Sequence, residues 1–446
     1  MVKLLAYFSL MYALFTLVSL PYISPVLYAT FSILQPQHVW FWAFEDISVF
    51  KITAGLSLIS WVIQANKKNI NYDVYKLPVS KALLGLTFFM NVSDWLASYG
   101  GSRVSALLLE TFNIIILMYF CCLPLINNEK AVRYLAYVFI ITGVYYGYDA
   151  NDIYFNNQWH RFSQGRLSGP EDGAYNDNNK FALIMVVGFP FLLLGFFHFK
   201  NIVVKSAMVL GMVFCLHGIF LTGSRGALLA IGGAVFVCTR VLHFTGFKKA
   251  FINLAILAGF VFVVLDQAGV TLDRTSVTVN ADAQTNEKPP NPRILSWKVG
   301  MGLIKNHPLF GVGVYRFRIA SAIEFPGDSP HVAHNTFITF ASCSGLMAGL
   351  LYLYTFWASF VMIRKINRHT NNNSVYGYSA NSAFAALGGF FIGAIFLDLL
   401  IFEPYYFLLM LLTACYVQVM RLEKSSNDNA NTVDQIKDTK IVSNVH

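Results

Sequence analysis

The chain has 446 residues, of which 56% are hydrophobic, 16% aromatic and only 12% charged, with a mean hydropathy of +0.54. Soluble chains carry about 25% charged residues. Half that charge, with long continuous apolar runs, excludes a soluble enzyme, a disordered chain, a disulfide scaffold and a transmembrane β-barrel.

Runs of about 20 apolar residues cross a bilayer. They are predicted at 4–34, 47–64, 81–99, 104–125, 131–148, 179–198, 203–221, 225–243, 249–266, 334–362, 383–400 and 404–420. The fold class is therefore an all-α polytopic membrane protein with about 12 transmembrane helices. The first run is long and holds Pro21 and Pro25, so it is expected to break, with 22–34 kinked or lying at the interface; counted as one crossing, it puts the N-terminus inside, whereas crossing twice would move the N-terminus alone outside. A single Lys3 and no small-residue cleavage site make it a retained span rather than a removed signal.

Basic residues should gather in cytoplasmic loops. On this count 19 of the 32 fall inside, every inner loop is basic, and lysine predominates there, so the net charge of +9 reports orientation and acidic lipid rather than nucleic acid. The pattern divides the chain into helices 1–9 over 1–266, an outward loop 267–333, helices 10–12 over 334–420 and a polar tail 421–446 expected to be cytoplasmic and disordered. Of the 13 outward basic residues eight are arginine, against five of the 19 inward. Loop solubility explains such a bias, and so does an anion site, because guanidinium forks match phosphate oxygens in pairs.

Along the chain, Glu45 and Asp46 form an acidic pair, the first place to look for a metal, although no His/Asp/Glu cluster at metal spacing accompanies them and none is expected to bind. The outward loop 149–178 carries Arg161 and Arg166 among aromatics and amides, a mixture suited to sugars. Asp177 and Asn178 at the next span entry suit either a ligand or a helix cap. LeuThrGlySerArgGlyAla at 221–227 opens a span: Ser224 is a plausible N-cap, and Arg225 either snorkels to headgroups or joins the helix N-terminus in cradling an anion.

AsnProArgIleLeuSerTrpLysValGlyMetGlyLeuIleLys at 291–305 reads as an amphipathic helix with Ile294, Trp297, Met301 and Ile304 on one face and Arg293 in its first turn. HisProLeuPheGlyValGly at 307–313 ends it. ProHisValAlaHisAsnThrPhe at 330–337 then offers His334, a cap or a general base, with His331 as its competitor and Asn335 as an orienting or sugar-binding amide. The six cysteines lie in apolar runs with no CxxC, and there is no P-loop or GxGxxG, so no nucleotide cofactor is expected.

Taken together, SerArgGlyAlaLeuLeu at 224–229, HisProLeuPheGlyValGly at 307–313 and HisAsnThrPhe at 334–337 resemble the O-antigen ligase / O-antigen polymerase superfamily, whose members pair Arg-x3-Leu with His-Asn-x9-Gly. Arg225 precedes Leu229 and His334–Asn335 precedes Gly345 at those spacings; Ala348 departs from the Gly, Thr or Tyr usual three residues on. GlnProGlnHisValTrpPheTrpAlaPhe at 35–44, ArgLeuSerGlyProGluAsp at 166–172 and AspAsnAsnLysPheAlaLeu at 177–183 are similar to the exosortase-associated O-glycosylation ligases. The resemblance implies a GT-C-like fold whose large extracytoplasmic loop holds short amphipathic helices, in the bacterial inner membrane with its site facing the periplasm. It implies metal-independent, inverting transfer of a glycan from undecaprenyl diphosphate to a hydroxyl on a lipid A core sugar, a glycan or protein Ser/Thr. His334 would be the base, Arg225 and Arg293 would hold diphosphate, and Arg161, Arg166 and Asp177 would contact headgroup or sugar. A polymerase or protein oligosaccharyltransferase shares that core; a transporter of lipid-linked sugars is the alternative of another class, with Asp94 and Glu110 as its intramembrane charges.

Overall fold

The computed structural model describes residues 2–44, 48–242, 292–326 and 332–443. The expected span 249–266, the acidic pair Glu45 and Asp46, and His331 lie outside the described residues.

The helices in chain order are α1 Val2–Thr16, α2 Ile23–Leu34, α3 Pro36–Val39, α4 Phe41–Phe44, α5 Val49–Asn66, α6 Pro78–Leu96, α7 Arg103–Cys122, α8 Glu129–Phe155, α9 Asn178–His198, α10 Ile202–Leu221 and α11 Arg225–Val241. Beyond 291 follow α12 Pro292–Asn306, α13 Phe317–Glu324, α14 Thr336–Ser344, α15 Leu346–His369, α16 Val375–Ala394 and α17 Glu403–Ser443. Among the described residues, five segments are long and apolar enough to cross a membrane: Arg103–Leu125, Asn178–His198, Ile202–Leu221, Leu346–His369 and Glu403–Ser425. The only strands among the described residues are β1 Phe162–Ser163 and β2 Arg166–Leu167, an antiparallel pair turned by Gln164 and Gly165 at φ 51 and 72, the left-handed geometry of a tight hairpin.

Side-chain caps set where most spans begin. Ser102, Asn128, Asp177, Asn201, Ser224 and Ser374 each accept a backbone N–H from the first turn that follows, and Pro78 opens α6 without wasting a donor. α9 is apolar all round and accordingly runs through the middle of the bundle, against α8, α10, α11 and α16. Close approach there needs small residues: a Cβ on Gly188 would stand 2.7 Å from the Gly143 Cα of α8, and one on Gly389 of α16 only 3.0 Å from the Ala230 carbonyl of α11. α6 and α7 are clipped by Asn91 and Asn113, whose amides exchange two hydrogen bonds of 2.9 Å.

Several expectations are corrected. Residues 4–34 do not make one crossing. They break at 17–22, as the prolines suggested, but α1 and α2 fold back on each other: Ala6 clusters with Phe31, Phe44 and Val49, whereas Ser60 and Gln64, near the far end of α5, bond to the Leu17, Pro21 and Val18 carbonyls. The N-terminus therefore lies at the end of the bundle where α5 begins.

The run 334–362 is two helices broken at Gly345, where φ 92 and ψ 157 suit glycine alone and a Cβ would stand 2.0 Å from the Leu309 carbonyl. The same contact explains HisProLeuPheGlyValGly. Its strand-like course along α14 is held by Val312 N–H to Ser342 O and Gly313 N–H to Cys343 O, both 2.9 Å. Lastly, the tail expected to be disordered continues α17 to Ser443, since no Gly or Pro after Pro404 stops the helix.

α12, α13 and α14 form a small lobe at the end of the bundle where α9 and α11 begin, around Val299, Leu303, Phe317, Ile338 and Cys343. The packed stripe of α12 is Ser296, Val299, Gly300, Leu303 and Ile304, with Trp297 half-buried against the lobe; of the residues assigned to the apolar face, Ile304 and Trp297 pack and Ile294 and Met301 are turned outward. Asp94, at the end of α6, pairs with Arg316 of this lobe at 2.8 Å, and Glu110 is exposed on α7.

Candidate active site

The α10–α11 turn needs a left-handed residue, which Gly223 supplies at φ 59. Ser224 follows in extended conformation and caps α11, its Oγ accepting from Ala227 N–H at 3.3 Å, so Arg225 occupies the first helical position, half-buried. Arg166, on the small hairpin, locks this turn: its Nε donates to the Thr222 carbonyl at 3.0 Å and its guanidinium to Asn179 Oδ1 at 3.0 Å. Ser224 Oγ donates to that same Asn179 oxygen at 2.9 Å. One amide thus ties the starts of α9 and α11 to the hairpin.

These residues border a small hollow. Asn179, Ser224 and Gly226 line it from α9 and α11, Arg293 from α12, and Phe396 and Leu397 from the segment after α16. The Arg293 guanidinium lies 5.8 Å from the centre of the Phe396 ring, which fixes a cation at the rim. Among the described residues, the polar side chains lining the hollow are an arginine, a hydroxyl and an amide, with no carboxylate, and the α11 N-terminus adds a partial positive charge. Such a donor set suits an anion. Among the described residues no group of three or more His, Cys, Asp or Glu side chains is placed to hold a metal ion.

His334 does not line the hollow but is tied to its wall through the backbone. It precedes α14 with φ 48, a left-handed conformation uncommon outside glycine and one that the surroundings must hold. Asp398 holds it: its carboxylate accepts the His334 backbone N–H at 3.1 Å and the Thr339 hydroxyl. Thr336 adds a second staple, donating to the Leu397 carbonyl at 2.7 Å and accepting from Leu399 N–H at 3.1 Å. The segment 396–399 is thus a shared wall, with Leu397 lining the hollow and Asp398 anchoring His334.

Ser224 and Arg293 therefore meet, Arg225 adjoins them, and His334 is pinned to the same wall. The remaining sequence candidates have mainly structural duties. Arg161 is occupied by Asp149 at 2.9 Å and the Ser168 carbonyl, over the Phe181 ring. Asp177 is the α9 cap, accepting from Asn179 and Lys180 N–H, with Asn178 following as the first helical residue. Asn335 caps α14 through Ile338 N–H at 3.1 Å. Two residues escaped the sequence reading: Asn179, hidden beside its capping neighbours, and Asp398, although a carboxylate inside an apolar run is itself a signal.

The architecture and the hollow define a polytopic α-helical membrane protein with an anion-suited site at one end of its bundle. Residues 210–353 match the family model for O-antigen ligase. The match spans α11, Arg293 and His334. No curated protein matches the chain.

Proposed function

We propose that the chain is a glycan ligase of the inner membrane that transfers an oligosaccharide or polysaccharide from undecaprenyl diphosphate to a hydroxyl acceptor at the periplasmic face. The observation that carries this reading is the hollow between α9, α11 and α12, where Arg293 and Ser224 meet beside Arg225 on the wall that anchors His334. In this reading the diphosphate lies against Arg293, Arg225 and the α11 N-terminus. His334 takes the proton of the acceptor hydroxyl while its oxygen attacks the sugar C1. The new O–C1 bond forms as the bond from C1 to the diphosphate oxygen breaks, with inversion. The leaving oxygen departs with the electron pair, and the arginines stabilise its charge. Asp398 acts through the backbone, holding His334 in register. Residues 267–333 form the periplasmic loop that brings Arg293 to the site.

The family match does not cover 35–44, 166–172 or 177–183, so placement with the exosortase-associated branch rests on the resemblance of those stretches. Purified protein given undecaprenyl-diphosphate glycan and candidate acceptors should form a glycosidic bond, equally with and without chelator. His334→Ala should lower the rate by about 100-fold or more; full activity in this variant overturns the base assignment. The product separates ligation to a lipid A core sugar from polymer growth and from protein glycosylation, and flipping without bond formation indicates a transporter.

A further inference from the structure

We infer that Asn179 is a donor-binding residue, its side-chain amide N–H2 directed to a diphosphate oxygen in the hollow. The inference rests on the ligase reading above and adds to it a contact from α9. Asn179 lines the hollow together with Ser224 and Arg293. Its orientation is fixed by chemistry: a guanidinium can only donate, so the atom meeting Arg166 at 3.0 Å must be the oxygen. Ser224 donates to the same oxygen at 2.9 Å. With both donors on Oδ1, Nδ2 is the remaining polar atom, and no described residue accepts from it. A residue kept only to brace Arg166 and Ser224 needs an acceptor there and nothing more; an amide adds two donors beside the Arg293 cation, at the start of a helix. The side chain thus adds a donor from α9 to those that α11 and α12 bring to the hollow.

The two roles separate in Asn179→Asp. Aspartate has the same shape and keeps an acceptor oxygen for Arg166 and Ser224. It also suits the first turn of a helix. Its second oxygen, however, puts negative charge where the amide donated. Wild type, Asn179→Asp and Asn179→Ala, each as the full chain in detergent, are titrated calorimetrically with undecaprenyl diphosphate and with inorganic diphosphate, and their melting temperatures are compared. The expected result is wild-type melting for Asn179→Asp with binding of both probes weakened about tenfold or more; Asn179→Ala melts lower and also binds weakly. Wild-type affinity in a folded Asn179→Asp protein overturns the assignment and leaves the ligase reading intact. A loss confined to the lipid probe overturns the contact to phosphate oxygen. Wild-type protein that binds neither probe and transfers no glycan overturns the ligase reading and this contact with it.

Discussion

At the scale of single residues, the site is made by side chains that do two jobs. Ser224 caps a helix and donates a hydrogen bond to Asn179 Oδ1; Asp398 holds a strained backbone and closes the wall beside the hollow. Local sequence exposed the first kind of duty, since a Ser-Arg-Gly start before an apolar run is a cap signal whatever lies nearby. It could not expose the second. His334 and Asp398 are 64 residues apart, and Ser224 and Asn179 are 45 apart, so each pairing exists only after helices pack. Asp398→Ala leaves the His334 N–H and the Thr339 hydroxyl without their acceptor, at a cost of about 1–3 kcal/mol. Its larger effect should fall on the chemical step: kcat lowered about 10- to 100-fold through misplacement of the imidazole, with the KM for donor little changed. Steady-state transfer kinetics check this, and a KM-only effect would remove Asp398 from the positioning role.

At the scale of elements, the α12–α14 lobe decides whether Arg293 stays at the rim of the hollow. Beyond its own small core, it is tied to the α6–α7 loop by two polar clusters. Arg316 bonds Asp94 at 2.8 Å and the Tyr99 carbonyl at 3.0 Å. Glu324, at the end of α13, accepts from Tyr99, from Asn306 at 2.7 Å and bonds His307 at 2.6 Å. Burial of Glu324 works to raise its pKa, but the hydrogen bonds from Tyr99, Asn306 and His307 outweigh it and hold the carboxyl below its ordinary range. The folded pKa is thus below the unfolded one, about 4.3. The contribution of this cluster is full at neutral pH and is lost as pH falls through the folded value. Hydrogen exchange at equal intrinsic rates should show 317–324 losing protection, as pH falls below the ordinary glutamate range, before the core of α9 does, and Glu324→Gln should abolish that difference. Lobe and α9 opening together in wild type would refute the latch.

At the scale of the whole molecule, the packing departs from the single-crossing expectation at the start of the bundle. The pairing of Ala6 with Val49 and of Leu17 with Ser60 places the N-terminus beside the start of α5, opposite Lys67. All six native cysteines are buried, which gives a quiet background for labelling. Cysteines placed at Lys3 and at Ser48 should react with a membrane-impermeant thiol reagent from the same side, and one at Lys67 from the other. Lys3 labelled together with Lys67 would restore the single crossing.

Sequence alone determined the membrane class, most of the helix starts and the chemical types at the site, because apolar length, capping residues and glycine-bearing turns act over a few neighbours. Tertiary structure decided the fold-back of α1 onto α2, the break at Gly345, which face of α12 is packed, and the partnership of Asn179 and Asp398 with the arginine and histidine motifs. The physical reason is one of range: hydropathy and capping energies are written along the chain, whereas a hydrogen bond between two helix ends depends on where distant, close-packed helices bring them.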